Sequence, residues 1–365
     1  MKKLILPILL TICVIAISCQ QKEKQNSIPK MVNSDGSYET VPLEKDTLVL
    51  KLIQNSVRNV KKIENAKEVV NENLQKVKNL VVEACTTGDK PNIVLMHEFP
   101  LTGYLYGGRK DKVQMALQIP GEETSELCAL AKQYDTYIIF GSYAIDPEWP
   151  DHILSLTTVI GRDGEILKKI WKPRNIKRFY SSFEITTTTV ESVREKFIEK
   201  YGIEEELPVL RTEYGNIALS TVQLDPFIFS AFTMKGAEII LRTSTLFFES
   251  DIIYTAMANN VYSAMANIPA DSPYGGNSMV VAPSGKVMAR LDKTTEGVLE
   301  AKIPIAKFRE NRKLPQYAIE LTKDIFKQYQ EEIPANHLDM PKEKLPQNGK
   351  EMKVLLDSLS TWLNQ

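Results

Sequence analysis

Short apolar runs alternate with amphipathic stretches through most of the chain. Runs rich in Ile, Leu and Val lie at 48–54, 93–96 and 137–141, and runs of this length predict buried strands. Between them, apolar residues recur at helical spacing at 61–83 and 124–133, which predicts two helices. Strands and helices in this order indicate a layered α/β domain.

The same alternation continues towards the C-terminus. Two β-type runs at 154–160 and 166–171 are separated by an Asp-Gly turn, which predicts a hairpin. A highly charged stretch at 186–207 predicts an inserted helix with its charges on a solvated face. The pattern predicts further strands at 209–211, 217–222, 238–241, 261–266, 278–282, 287–291 and 297–301, and further helices at 227–235, 251–260, 319–331 and 351–363.

The N-terminus has the pattern of an export signal. Lys2 and Lys3 precede an apolar run at 4–17 that is too short for a stable transmembrane helix. The residues before Cys19 resemble the lipobox of bacterial lipoproteins, which implies cleavage before Cys19 and acylation of that residue. We therefore expect an extracytoplasmic protein that is lipid-anchored to a bacterial membrane. An ordinary signal peptide or an uncleaved anchor is the alternative.

Composition sets the segment boundaries and excludes one class of partner. We predict a signal peptide at 1–18, a polar tether at 19–45, an α/β domain at 46–311 and a helical C-terminal extension at 312–365. The chain carries 45 Lys and Arg against 46 Asp and Glu, a formal net charge of -1. Because this balance provides no broad basic surface for phosphates, nucleic acid is excluded as a main partner.

Few residues of the mature domain suit metal or disulfide chemistry. Cys85 and Cys128 lie in helix-like stretches, which favours two small buried side chains, while a disulfide between them is left open. His97, His152 and His337 show no metal-ligand spacing. No dinucleotide-binding or phosphate-loop motif is found, so we predict no metal and no cofactor.

Two charged residues stand at the ends of predicted strands. Glu98 follows the run at 93–96, and Lys172 follows the run at 166–171 just before Pro173. Open α/β sheets place their sites at the carboxyl ends of strands. Position alone does not separate catalytic residues from ordinary strand-end charges.

Five segments, taken in order, resemble the nitrilase or carbon-nitrogen hydrolase superfamily, and within it the aliphatic amidases and formamidases. They are MHEFPLTGY at 96–104, IPGEET at 119–124, DGEILKKIWK at 163–172, MKGAEIILR at 234–242 and AMANNVYSAMAN at 256–267. The resemblance covers about residues 48 to 301 and implies an αββα sandwich that forms homo-oligomers. It also implies a Glu-Lys-Cys constellation for hydrolysis of amides or nitriles.

In that constellation, Glu98 matches the residue that moves protons, and Lys172 matches the residue that stabilises the tetrahedral intermediate. The cysteine nucleophile is missing. Counted forward from Gly215, its position is Val222, whereas a backward count from the next motif reaches Ser220. We favour the forward count because the strand at 217–222 is well defined.

Two further residues bear on the site. In a continuous strand, Ser220 would lie about 7 Å behind Val222 at about 3.3 Å per residue and would face the same way, and an alcohol nucleophile needs an adjacent base. A second family glutamate falls at Tyr180, and Glu184 is its candidate displaced equivalent.

These observations leave three hypotheses. The first is a carbon-nitrogen hydrolase-like protein without thiol-dependent activity, which retains a pocket for a small amide or carboxylate ligand or for a partner. The second is an active amide hydrolase that uses Ser220 or another group. The third is a structural subunit of a catalytic homologue.

Overall fold

Two β-sheets lie face to face in a computed structural model that describes residues 29–175, 187–245 and 247–362. The strands of the first sheet are β1 (Leu48–Gln54), β2 (Ile93–Leu95), β3 (Leu117–Gln118), β4 (Tyr137–Ile145), β5 (Ile153–Ile160), β6 (Ile166–Trp171), β7 (Thr187–Thr188) and β14 (Gly297–Ile303). Those of the second are β8 (Val209–Thr212), β9 (Gly215–Ser220), β10 (Ile239–Thr243), β11 (Tyr262–Ala266), β12 (Met279–Val281) and β13 (Val287–Arg290). The strand orders are β14-β1-β2-β4-β5-β6, with β3 beside β4 and β7 beside β5, and β13-β12-β11-β10-β9-β8.

Helices cover the outer face of each sheet. Leu52 and Leu95 from the first sheet pack with Leu219 and Leu241 from the second in a shared core between the sheets. Separate apolar clusters join each sheet to its own helices. The helices are α1 (Ala66–Thr86), α2 (Arg109–Met115), α3 (Glu122–Tyr134), α4 (Arg194–Tyr201), α5 (Pro226–Met234), α6 (Glu249–Asn259), α7 (Ile305–Asn311), α8 (Ile319–Gln328) and α9 (Gly349–Leu359). The predicted αββα sandwich is confirmed.

Strand direction brings several strand ends to one edge of the sandwich. β1, β2 and β4 are parallel, as are β9, β10 and β11. β6 runs in the same direction as β4, because each is antiparallel to β5. The carboxyl ends of β2 and β6 therefore lie at the same edge of the first sheet.

Most predicted elements are present, and the differences have local causes. The hairpin of β5 and β6 forms around Gly164, whose φ is 85°. The prediction of one helix over 186–207 was wrong in extent. The helix α4 spans only Arg194–Tyr201 and ends where Gly202 adopts a φ of 89°. The strand predicted at 217–222 ends at Ser220. The helices α2 and α7 and the strands β3 and β7 were not predicted.

The C-terminal extension consists of two parts with different packing. Leu338, Leu345 and Met352 belong to the core that α1 and α3 form with the first sheet. The backbone N–H of Arg109 donates to the carbonyl of Gln347 at 2.6 Å. In contrast, α8 contains no buried residue. The second part of the extension is thus an integral piece of the domain, whereas α8 is not.

The described part of the predicted tether also contacts the domain. Val32 donates a backbone hydrogen bond to Met234 at 2.8 Å, and the hydroxyl of Tyr38 donates to Glu238 at 3.0 Å. Within the described ranges, no helix combines the length and apolar character that a membrane span needs.

Candidate active site

Glu98 lies just past the end of β2, at a point where two chain segments approach closely. The N–H of Gly141 donates to the carbonyl of His97 at 3.0 Å. A Cβ atom on Gly141 would lie 2.4 Å from the carbonyl oxygen of Glu98, a contact that real Cβ atoms do not make. Glycine in β4 is therefore what allows the turn that carries Glu98 to pack against the sheet.

The carboxylate of Glu98 is buried and is held by groups from both sheets. Its Oε1 accepts from Nζ of Lys172 at 3.4 Å and from the hydroxyl of Ser155 at 3.4 Å. Its Oε2 accepts from the hydroxyl of Thr245, which follows β10, at 3.2 Å. The hydroxyl of Tyr104 donates in turn to Thr245 at 2.8 Å. This network fixes the orientation of the carboxylate.

Glu98 and Lys172 form a buried ion pair. Their side chains are 3% and 4% exposed, so both charges are largely removed from water. Removing one member of such a pair costs about 3–5 kcal/mol because the other charge remains buried. The pair therefore has a structural role whether or not it takes part in chemistry.

Val222, the predicted nucleophile position, lies beyond the end of β9 and is buried. Its N–H donates to the hydroxyl of Ser220 at 3.1 Å, and its carbonyl accepts from the guanidinium of Arg242. Gln223 donates to the carbonyl of Thr245 at 3.2 Å. Thr245 thus connects the loop that contains Val222 to Glu98.

Ser220 points away from the space between the sheets. Ile217 and Leu219 of β9 face the core between the sheets, whereas Ala218 faces the helix-side cluster. Because side chains alternate along a strand, Ser220 shares the helix side with Ala218. The expectation that Ser220 and Val222 face the same way required a strand that continues through Val222, and β9 stops before it.

A second buried ion pair supports the Val222 loop from the helix side. The guanidinium of Arg242 in β10 is fully buried, donates to Asp251 of α6 at 2.8 Å, and lies 4.3 Å from the ring centroid of Phe229. Asp251 also accepts from the N–H of Leu224, whose φ is 56°. Sequence reasoning missed this pair, although an arginine in the apolar run EIILR was a signal for it.

The histidines and cysteines that the structure describes lie in no group suited to a metal ion. Among the residues that the structure describes, no group of three or more His, Cys, Asp or Glu side chains could hold a metal ion. Cys85 and Cys128 are free thiols and are partly exposed rather than fully buried as predicted. Burial raises the pKa of Cys85 to about 11, which makes its thiolate scarce at neutral pH.

The predicted signal peptide, with Lys2 and Lys3, and three residues with a predicted role lie outside the described residues. The three residues are Cys19, Tyr180 and Glu184. Their roles stay predictions.

We expect the free energy of unfolding to fall as pH decreases from about 6.5 to about 4, because two folded-state histidines resist protonation. Burial lowers the pKa of His97 to about 3, and its Nδ1 accepts the N–H of Phe99 at 3.2 Å. Burial, assisted by Arg109 and Lys196, lowers the pKa of His152 to about 4. The unfolded chain, with histidine pKa values of about 6.5, binds more protons in this window, so acid favours unfolding.

Urea unfolding at a series of pH values would measure this effect. The double variant His97→Gln/His152→Gln should lose less stability across the window than the parent chain does. Above pH 7.5 the two curves should run parallel, because neither state then binds a proton at these positions. Identical slopes below pH 6.5 would contradict the prediction.

Comparison with known proteins places the chain in a family. The carbon-nitrogen hydrolase family model matches residues 61–313, which is more than half of the chain. The chain belongs to the carbon-nitrogen hydrolase family.

Known relatives are amidases at low sequence identity. The chain is 26% identical to the omega-amidase of Xenopus tropicalis over 257 residues, which cover 67% of this chain and 87% of that protein. It is 26% identical to the omega-amidase of Homo sapiens over 276 residues, which cover 72% of this chain and 91% of that protein.

Solved structures of an amidase from Nesterenkonia sp. AN1 share the architecture. A double mutant of that amidase in complex with acrylamide gives a TM-score of 0.56 at 17% identity, covering 79% of this chain and 100% of that chain. A mutant in complex with butyramide gives 0.55 at 17% identity, covering 76% and 96%. At this identity the likeness supports the fold alone.

Proposed function

We propose that this carbon-nitrogen hydrolase family member binds a small amide or carboxylate compound and lacks thiol-dependent hydrolysis. We further propose that it is extracytoplasmic, anchored to a bacterial membrane by acylated Cys19, and homo-oligomeric. The proposal depends on Val222. This residue occupies the position where the family resemblance expects the cysteine, and its side chain has no nucleophilic atom.

The Glu98–Lys172 pair supports the ligand class. A lysine ammonium donates to a carbonyl or carboxylate oxygen, and a carboxylate accepts from an amide N–H. The pair can therefore bind both the carbonyl oxygen and the N–H of an amide. A carboxylate ligand would be bound by Lys172 alone. Mutants of the Nesterenkonia amidase in which alanine replaces the cysteine form complexes with acrylamide and butyramide, which agrees with small ligands of this type.

The missing sulfur supports the loss of hydrolysis. In a glutamate-to-glutamine mutant of the Nesterenkonia amidase, the acetamide moiety of fluoroacetamide adds covalently at the active site cysteine. Valine cannot form such a bond. Loss of the nucleophile from a cooperating catalytic set leaves a residual acceleration of about 10³–10⁴ over water, from binding and charge stabilisation.

The geometry of Ser220 disfavours the alternative of a serine nucleophile. By strand alternation its side chain faces the helix side, and its hydroxyl already accepts from the N–H of Val222 at 3.1 Å. A serine attacks only with an adjacent base, and Glu98 holds its contacts on the side between the sheets. A structural subunit of a catalytic homologue is the remaining alternative.

Calorimetric titration with butyramide, run beside an assay for released ammonia, tests the proposal. We expect saturable binding without turnover, and binding at least about tenfold weaker in Glu98→Gln, because the variant loses the buried carboxylate. Ser220→Ala serves as the matched control and should bind normally.

Two outcomes would overturn the binding proposal. Ammonia release that Ser220→Ala abolishes would establish the serine enzyme. Absence of butyramide binding, together with co-purification of an active homologue, would establish the structural subunit. Thermal melts of both variants would show that each remains folded.

A further inference from the structure

A groove of about 550 Å³ lies on the outer side of the first sheet, and its size is typical of small-molecule sites. It is formed by the loop between β4 and β5, the helix α4 and the segment that precedes α9. Trp149 in its wall belongs to the core between the first sheet and its helices. Glu98, in contrast, contacts Thr245 across the space between the two sheets. The groove is therefore separate from the candidate active site.

His152 lines this groove and is held in one orientation. The residue is only 8% exposed. Its Nδ1 forms a hydrogen bond with the hydroxyl of Thr188 in β7 at 2.7 Å, and its ring meets Trp149 edge-on, with centroids 5.6 Å apart. Among the residues that the structure describes, no group forms a hydrogen bond with Nε2 of His152. That nitrogen is available to a molecule in the groove.

Arg109 supplies a buried positive charge behind the groove. The residue is 1% exposed, and its Nε donates to the carbonyl of Pro346 at 2.7 Å. Its two terminal nitrogens have no hydrogen-bond partner in the described part of the chain. The other buried arginine there, Arg242, donates to the carboxylate of Asp251. A buried charge without such a partner is costly, so the guanidinium of Arg109 favours an anion nearby.

The charge of Arg109 acts on His152. Burial, followed by the charges of Arg109 and Lys196, lowers the pKa of His152 to about 4. Asp151 and Asp339 act in the opposite direction and are outweighed. The surroundings of the imidazole are therefore electropositive, and an anion bound beside Nε2 would offset the two cations.

The lysines at the rim of the groove are paired with carboxylates. Lys342 contacts Asp151 at 3.6 Å, and Lys200 contacts Glu148 at 3.0 Å. Glu199 also lines the groove, but its side chain is exposed, so water and salt screen its charge. Because these rim charges are balanced or screened, the buried guanidinium is the charge that remains uncompensated near the imidazole.

We propose that this groove is a second ligand site, which binds a small organic carboxylate at Nε2 of His152 under the positive field of Arg109. A protonated imidazole nitrogen donates to a carboxylate oxygen in a charge-assisted hydrogen bond. Arg109 acts through its charge, because its terminal nitrogens are buried. Trp149, Pro150 and Met340 line the groove and offer apolar contacts to the hydrocarbon part of the ligand. This site goes beyond the proposed function and does not depend on it.

Titration of the ring signals of His152 by NMR tests the proposal on the mature chain, with Cys19→Ser introduced to prevent acylation. The chain has three histidines, and His152→Gln identifies the signal of residue 152 by its loss. At constant ionic strength, we expect butyrate to raise the pKa of His152 by about 1–3 pH units. A protonated ring should then be seen above about pH 5, where a carboxylate ligand is ionised. Butyramide, which has a similar size and no charge, should leave the pKa unchanged.

Variants show which charges hold the ligand, with the Kd for butyrate read from the same ring signals. Arg109→Gln removes the buried cation and should raise the Kd by at least about tenfold. Lys196→Gln/Lys342→Gln changes only exposed side chains and should raise it by at least about threefold. Lys302→Gln is the matched control and should leave the Kd unchanged. Lys302 is 57% exposed and ion-paired, as Lys342 is, but it lies in β14 at the opposite edge of the first sheet.

Four outcomes would overturn the proposal. The first is a His152 signal that does not respond to butyrate, and the second is an equal response to butyramide. The third is an unchanged Kd in both Arg109→Gln and Lys196→Gln/Lys342→Gln, with thermal melts showing that the variants fold. The fourth is inorganic phosphate bound as tightly as butyrate, which would assign the groove to oxyanions without an apolar part. Glu98→Gln should leave the His152 response intact, which keeps this test separate from that of the candidate active site.

Discussion

Replacing Val222 with cysteine is expected to create a thiol that acrylamide modifies to about one adduct per chain, at a position where the parent chain takes none. The buried loop after β9 would then carry a sulfur, and Thr245 links this loop to the ion pair of Glu98 and Lys172. We expect Lys172 to favour the thiolate that attacks, because a nearby cation lowers the pKa of a thiol. In a glutamate-to-glutamine mutant of the Nesterenkonia amidase, acrylamide undergoes Michael addition at the active site cysteine. Intact mass spectrometry after incubation with acrylamide measures the adduct, and peptide mapping locates it.

Controls separate this reaction from background alkylation. Cys85 and Cys128 are present in every variant, but burial raises the pKa of both thiols, so they should react slowly. Val222→Ser should take no adduct at position 222, and Lys172→Met should slow the reaction of Val222→Cys. An unreactive Val222→Cys chain that still folds would show that the loop does not present position 222 to a ligand, and the proposed site would be wrong.

The variant Asp251→Asn is expected to lower the free energy of unfolding by about 3–5 kcal/mol, the cost of leaving a buried charge without its partner. Arg242 is fully buried, so its guanidinium cannot turn to water when the carboxylate is removed. The carboxylate also accepts the N–H of Leu224, so the loop that contains Val222 should loosen at the same time. Urea unfolding measures the first effect, and hydrogen exchange of the loop amides measures the second.

A double variant shows whether charge is the cause. Arg242→Met/Asp251→Asn removes both charges and should be less destabilised than Asp251→Asn alone, because no charge is then left buried without a partner. Asp324→Asn breaks an exposed pair on α8 and should change stability little. Equal losses in Asp251→Asn and the double variant would contradict this account.

The fold could be predicted because its periodic signals are local. The sequence predicted strands that end shortly before Glu98 and Lys172, because each apolar run is followed by a charged residue. In the structure, Nζ of Lys172 lies 3.4 Å from Oε1 of Glu98. Thr245 could not be foreseen as a partner of Glu98, because the contact crosses from one sheet to the other and depends on how the sheets pack.

The sequence also could not show towards which side of the sheet the side chain of Ser220 points. Every residue of β9 is buried, and a strand that is buried on both faces gives a nearly continuous apolar run instead of an alternating one. The run GNIALS therefore did not show which side chains face the core between the sheets. The short helix α2 was missed for a related reason, because its charged sequence contains Arg109 and Lys112, which are buried in the folded chain.

The packing of the last helix has a consequence for how the protein is made. Met352 and Leu356 of α9 complete the same apolar cluster as Val69 and Val77 of α1, more than 270 positions earlier in the chain. During synthesis, the outer layer beside the first sheet therefore stays open until α9 leaves the ribosome. A chain that stops before residue 349 exposes that layer to proteases and to aggregation, even though every residue described at the candidate site has already been made.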